Sequence, residues 1–244
     1  MKKIHWSIAK RLFRLFTRRY RVARRQGCNF LLDNQNWIDS RLLICQPYER
    51  KQIATAVNLI CEHKIDTFID VGANLGVYSI MLATHIEKLQ VLSFEPVVRN
   101  YNQLCANIFV NNVNRRVVPQ NQALSDTKST VSIQIDPCST GVSSIPQEHT
   151  KLERSSYTET EEIQCVVFDD EYAYSNRRIF IKIDVEGYEK QVLQGMRKTL
   201  QQNKVILQVE VLSDERGEEI STEMQALGYR SIGRIGDDCR FSNI

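Results

Sequence analysis

Four acids and two glycines stand where strands of an α/β protein would end. Phe68-Ile69-Asp70-Val71-Gly72-Ala73-Asn74-Leu75-Gly76 reads as an apolar strand closing on an acid, then a glycine-bearing turn that opens a helix. Gly72 and Gly76 are spaced G-x-x-x-G, so the G-x-G-x-x-G dinucleotide fingerprint is absent, and no G-K-[ST] follows to cradle phosphates. Glu95 closes the next apolar run, 19 residues after Gly76, where an acid can accept from both hydroxyls of a ribose. Asp184 closes another and leads into Glu186 and Gly187, and Glu210 closes the one after. In an open α/β sheet, carboxyl ends of strands face one crevice.

Charge then selects the ligand. Asp70, Glu95, Asp184 and Glu186 crowd negative charge into that crevice, which repels a pyrophosphate and attracts a cation. S-adenosylmethionine carries a sulfonium, an ammonium and a ribose but no phosphate. The plainer explanation, that such acids cap helices and solvate strand ends, suits one acid better than four beside a glycine turn. Methyl transfer to oxygen needs in-line positioning and removal of a hydroxyl proton, for which Glu186 and Glu210 are the leading candidates. A divalent metal held by carboxylates is the other route, and no metal ligand is assigned. His149 in the insertion is a further candidate base, though a lone loop histidine reads more readily as solvated, and His5, His63 and His85 read as structural. A D-N-P-P-Y amino-methylation motif is missing at Asp184 to Gly187. Cys138 follows Pro137, but away from any cofactor strand.

These residues need a parallel sheet to hold them. β-branched runs at 67–71, 90–94, 117–121, 179–184 and 205–211 alternate with helical segments at 77–86, 99–109, 188–201 and 215–227, which predicts an open, mostly parallel α/β sheet with helices on both faces. Runs at 229–235 and 239–242 flank Gly236-Asp237-Asp238 and predict a C-terminal antiparallel hairpin. Residues 125–170 interrupt the alternation with strands at 130–135 and 163–168 around a polar stretch, the pattern of a functional loop or lid.

The 244 residues suffice for one sizeable domain with an arm, and 42% hydrophobic with 25% charged residues exclude disordered and membrane-embedded classes. The net charge of +3 hides an asymmetry: residues 1–25 hold ten Lys or Arg and no acid, leaving the body at about −7. Ile4, Ile8, Leu12, Leu15 and Phe16 recur at helical spacing among those bases, so residues 1–26 are expected to form a basic amphipathic helix and 27–244 the domain. That helix could pack on its own domain, dock on anionic lipids or bind nucleic acid, the least favoured of the three. No membrane span or cleavable leader is evident. Seven cysteines without a C-x-x-C pair read as reduced thiols, with zinc disfavoured. A cytoplasmic protein, peripheral at most on the inner membrane face, is expected.

F-I-D-V-G-A-N-L-G-V-Y-S, S-F-E-P, A-L-S-D and I-K-I-D-V-E-G-Y-E-K-Q-V-L-Q-G resemble the FkbM family of S-adenosylmethionine-dependent methyltransferases, over roughly Tyr48 to Val211. Tyr48-Glu49 and Val167 to Asp170 are similar to its Y-E and L-D-D elements, with Phe168 in place of leucine. The resemblance implies a class I, Rossmann-like fold of seven strands with a reversed terminal strand, and O-methylation of sugars, glycans or secondary metabolites. It implies that Asp70, Gly72, Asn74 and Gly76 hold the methionine part and the turn, Glu95 the ribose, Asp126 the adenine side, and Asp184 the methyl-donor end with Glu186 beside it. Asp126 reads equally well as a turn residue, and Lys182 as an ion-pairing one. A nicotinamide oxidoreductase and a non-catalytic membrane or nucleic-acid adaptor are the rival readings.

Overall fold

The computed structural model of the chain describes residues 18–139, 141, 143, 145, 157–211 and 213–244. A hairpin of β1 (Tyr20–Arg25) and β2 (Cys28–Asp33) precedes helices α1 (Trp37–Leu43) and α2 (Arg50–Glu62). Then come β3 (Thr67–Val71), α3 (Val77–His85), β4 (Gln90–Phe94), α4 (Val98–Val110) and β5 (Val117–Gln120). The insertion supplies β6 (Ala123–Leu124), β7 (Ser129–Ile135), β8 (Glu159–Val166) and the short α5 (Phe168–Glu171). β9 (Arg178–Ile183), α6 (Glu189–Gly195), α7 (Arg197–Gln202), β10 (Lys204–Glu210), α8 (Asp214–Ala226), β11 (Arg230–Ile235) and β12 (Asp238–Ser242) close the chain.

A seven-stranded sheet has the order β11-β12-β10-β9-β3-β4-β5. Its central pairings are parallel, and β12 runs antiparallel to both β10 and β11. The strands read as continuous apolar runs because both faces are covered. Phe68 and Phe180 pack on one face with Ile53, Ile80 and Leu104 from α2, α3 and α4. Their neighbours Ile69 and Ile181 pack on the other with Val192, Leu200 and Met224 from α6, α7 and α8. Each such buried side chain stabilises the fold by about 1.5–3 kcal/mol.

The arm departs from expectation where it is described. Ile4, Ile8, Leu12, Leu15 and Phe16 lie outside the described residues, but residues 20–25 form β1, so the expected helix does not extend to 26. Gln26 (φ 48°) and Gly27 (φ 86°) both sit in the left-handed region, the conformation that closes a two-residue hairpin. The expected boundary between 26 and 27 therefore falls inside a hairpin, across which Arg25 pairs with Cys28. Arg25 donates to the carbonyls of Leu42 and Leu43, and buried Asp33 pairs with Arg19 at 3.1 Å and Arg99 at 2.5 Å. The hairpin belongs to the domain.

Two further differences are local. The helix expected over 188–201 divides at Met196 into α6 and α7, and Gly195 packs so closely on Ser125 that a Cβ there would lie 2.0 Å from the Ser125 carbonyl oxygen. Phe168 opens α5 rather than ending a strand, its ring stacked on Tyr172 with centroids 4.8 Å apart. The insertion forms a three-stranded sheet, β6-β8-β7. It is tied to the domain by Trp37 N–H to the Cys138 carbonyl (2.9 Å) and Arg99 to the Pro137 carbonyl (2.8 Å). All seven thiols are free. Among the described residues no helix is long and apolar enough to cross a membrane.

Candidate active site

The carboxyl ends of β3, β4, β9 and β10 open into a cavity of about 460 Å³, within the range of small-ligand sites. Strand register sets a polar row in which Asp70 and Lys182 line this cavity. Parallel pairing sets Ser93, Asp70, Lys182 and Gln208 side by side, and antiparallel pairing adds Arg240. All five are buried. Asp70 accepts from Ser79 Oγ at 2.5 Å, and Ser79 Oγ lies 2.7 Å from Ser93 Oγ. Lys182 donates to Asp184 at 2.7 Å, its ammonium 4.9 Å from the centroid of the Tyr78 ring. Burial opposes the charge on Lys182, but Asp184, Glu49 and Asp70 outweigh it and keep the ammonium protonated. Burial likewise works against the Asp184 carboxylate, and Lys182 reverses it, holding Asp184 below its ordinary range. Lys182 is thus the ion-pairing residue the sequence suggests.

The glycine turn rests on β4. Gly72 and Ala73 donate to the Phe94 carbonyl at 3.0 and 2.9 Å. Gly72 has φ +81°, and a Cβ on it would lie 1.9 Å from the Asp184 carbonyl oxygen. Asn74, also left-handed at φ 51°, donates its backbone N–H to Glu95 Oε2 at 2.8 Å. Gly76 makes the turn into α3 at φ +87° without lining the cavity.

Glu95 Oε1 accepts from Val97 N–H (3.0 Å) and from the Asn100 amide (3.3 Å). Among the described residues Oε2 has one donor, so of the two ribose hydroxyls expected here it can meet one with an unshared lone pair. Burial pushes Glu95 up to about 7 despite its three N–H donors. A ribose hydroxyl donates best to the ionised form. Affinity for S-adenosylhomocysteine should therefore be level above about pH 8 and fall toward about tenfold per unit as pH drops below Glu95's folded value. Calorimetric titrations across this range check it, and a flat profile contradicts the assignment.

At the other end one carboxylate oxygen each from Asp184, Glu186 and Glu210 lies within 4.8 Å of the others, close enough to hold a cation. Burial and repulsion by Asp184 push Glu210 up to about 10. Glu210 and Asp184 therefore favour sharing a proton between them. Glu186 has a left-handed backbone (φ 51°) followed by Gly187 at φ 102°. The turn is pinned by Gly187 N–H to Glu189 at 2.7 Å and by Arg216, 3.6 Å from Glu189. Strain of this kind persists where surrounding structure enforces it, often at functional sites.

The structure brings Asp70, Gly72, Asn74, Glu95, Asp184, Glu186 and Glu210 onto one cavity wall. It does not bring Asp126 there. Asp126 is exposed and accepts from Ser125 Oγ at 3.1 Å, because the strand β6 turns Gln122, Ala123 and Leu124 to the cavity instead. His149 lies outside the described residues. Sequence reasoning assigned no role to Trp37, Arg41, Tyr48 or Glu49, which form the wall from α1 to the start of α2. Glu49 caps α2 at φ 45°, where burial raises its carboxyl against the pull of Lys182. The only signal in the sequence is the Tyr48-Glu49 pair of the family resemblance.

Sheet order, reversed β12 and an acid-lined cavity at the strand ends define a class I methyltransferase. The chain belongs to the FkbM methyltransferase family, whose Methyltransferase FkbM domain matches residues 70–231, and its cofactor is S-adenosylmethionine. It is 28% identical over 184 residues to the hexuronic acid methyltransferase AglP of Haloferax volcanii, covering 71% of this chain and 72% of that protein. It is 26% identical over 192 residues to the methyltransferase sdnD of Sordaria araneosa, covering 64% and 74%. Among solved structures, the human methyltransferase 10 domain containing protein matches with a TM-score of 0.51 at 11% identity, over 97% of this chain and 92% of that one. That likeness is one of fold.

Proposed function

We propose that the protein transfers a methyl group to a hydroxyl oxygen of a sugar, a glycan or a related metabolite. The observation that carries this reading is Glu186, presented on a strained turn beside Asp184 at the strand ends. When bound, S-adenosylmethionine supplies an electrophilic methyl group. Asp70, Gly72, Asn74, Glu95 and Asp184 are the residues to hold it, offering carboxylates to its cationic groups and ribose. Glu186 takes the acceptor's proton, and the Glu189 and Arg216 contacts keep it aimed. A sugar acceptor is supported by the likeness to AglP, whose name gives a hexuronic acid as its substrate. The test is incubation with methyl-deuterated S-adenosylmethionine and a panel of monosaccharides and glycolipids, read by mass spectrometry. An alkali-stable labelled ether is expected; a labelled amine or an alkali-labile ester contradicts the hydroxyl assignment.

We also propose that residues 1–17 carry the domain to an anionic membrane surface. Five of the ten bases in 1–25 lie in that segment, whereas Arg19 and Arg25 are engaged within the fold. Each base near such a surface contributes about 1 kcal/mol. The intact chain should float with anionic liposomes, less so at high salt, and a truncation starting at Arg18 should not. Equal flotation of the two contradicts it; tighter, more steeply salt-dependent binding to DNA would shift the assignment to nucleic acid.

A further inference from the structure

The cavity is lined by seven acids, Glu49, Asp70, Glu95, Asp184, Glu186, Glu210 and Asp237, and among the described residues by two cations, Lys182 and Arg41. Lys182 is consumed by Asp184. Arg41 has no carboxylate within ion-pair distance among the described residues. Its guanidinium carbon instead lies 4.6 Å from the Trp37 ring centroid and 5.5 Å from that of Tyr48. Nη2 donates to the Pro47 carbonyl at 3.1 Å, which fixes the plane of the group. Its Nε is shielded from solvent and has no acceptor among the described residues.

A guanidinium held flat by aromatic rings is a fork pre-set for a planar anion. The acids of the wall repel such an anion, so among the described lining residues Arg41 is where an acidic group can dock. We propose that Arg41 binds a carboxylate carried by the methyl acceptor, which makes the acceptor an acidic sugar or a similar hydroxy acid. This rests on the hydroxyl-methylation reading above and specifies its substrate class. Arg41 is then a specificity residue, distant in role from the carboxylates that hold the cofactor.

The probes are methyl β-D-glucuronide and methyl β-D-glucoside, which differ in a carboxylate, titrated into the full chain saturated with S-adenosylhomocysteine. The glucuronide should bind at least about tenfold more tightly, as a charge-assisted contact allows. Arg41→Gln should erase the difference, and Arg41→Lys, which keeps the charge but loses the fork, should restore only part of it. Equal binding of the two probes by the natural chain, a failure of both to bind, or a preference that survives in Arg41→Gln overturns the proposal. S-adenosylhomocysteine is titrated into each variant first. Loss of that binding in the natural chain would instead sink the methyltransferase site itself, so the two failures are separable.

Discussion

Gly72→Ala should destabilise the protein by roughly 2–5 kcal/mol and abolish measurable binding of S-adenosylhomocysteine. Two effects add. An L-residue at φ +81° is strained, and the new Cβ would meet the Asp184 carbonyl oxygen at 1.9 Å and its carbon at 2.9 Å. Neither atom can move cheaply, since Asp184 N–H is bonded to the Val71 carbonyl at 3.0 Å in the β3–β9 ladder. Any relief must part the two strands whose ends form the cofactor site. Gly228→Ala is the control, with the same backbone conformation (φ +83°) and nothing within 4 Å of a Cβ, so it isolates the backbone effect at about 1–2 kcal/mol. Urea unfolding of the two variants decides it. Equal destabilisation would mean that the close approach of Gly72 to Asp184 is unimportant.

Glu186→Gln should lower turnover by about 10² or more while leaving the affinity for S-adenosylhomocysteine within a few-fold. The amide is isosteric and tolerates the same left-handed backbone, but it cannot take a proton. Glu210→Gln should lose far less. Burial and the adjacent Asp184 raise the Glu210 carboxyl and favour its protonated form, and a Gln amide can still donate to Asp184. The ordering of the two variants is therefore the informative result. A larger loss for Glu210→Gln would make Glu210 the base, its proton driven off when the cationic cofactor binds beside it. Full turnover in both would remove carboxylate base catalysis altogether.

The cofactor half of the site was legible because its residues follow from chain-local rules. An acid after an apolar strand, a glycine where the backbone must turn left, and a second acid at the next strand end are all written within Phe68 to Glu95. The C-terminal hairpin and the reversed β12 were legible for the same reason, from the turn at Gly236. What stayed hidden depends on contacts distant in sequence. Tyr20 to Arg25 carries bases and apolar residues in a pattern compatible with helix, and its strand identity comes from pairing with Cys28 to Asp33 across the Gln26-Gly27 turn. Arg41 and Trp37 are one helical turn apart, an unremarkable spacing until α1 is set against the cavity by the β2 hairpin and by the insertion at Cys138. Asp126 follows a motif but not a wall: it lies two residues past β6, exposed, while Gln122 to Leu124 line the cavity. The upward shift of the Glu210 carboxyl is invisible in sequence because it requires burial and the proximity of Asp184 across strands.

The central claim is that the acid-lined cavity at the strand ends holds S-adenosylmethionine through Glu95. Calorimetric titration of S-adenosylhomocysteine into the natural chain and into Glu95→Ala at about pH 8 tests it directly, above the range in which Glu95 takes up a proton. The natural chain should bind one equivalent, and the variant, still folded by circular dichroism, should bind roughly tenfold or more weakly, the loss of a hydrogen bond to a charged group. Absence of binding by the natural chain, or unchanged affinity in a folded Glu95→Ala protein, would contradict it.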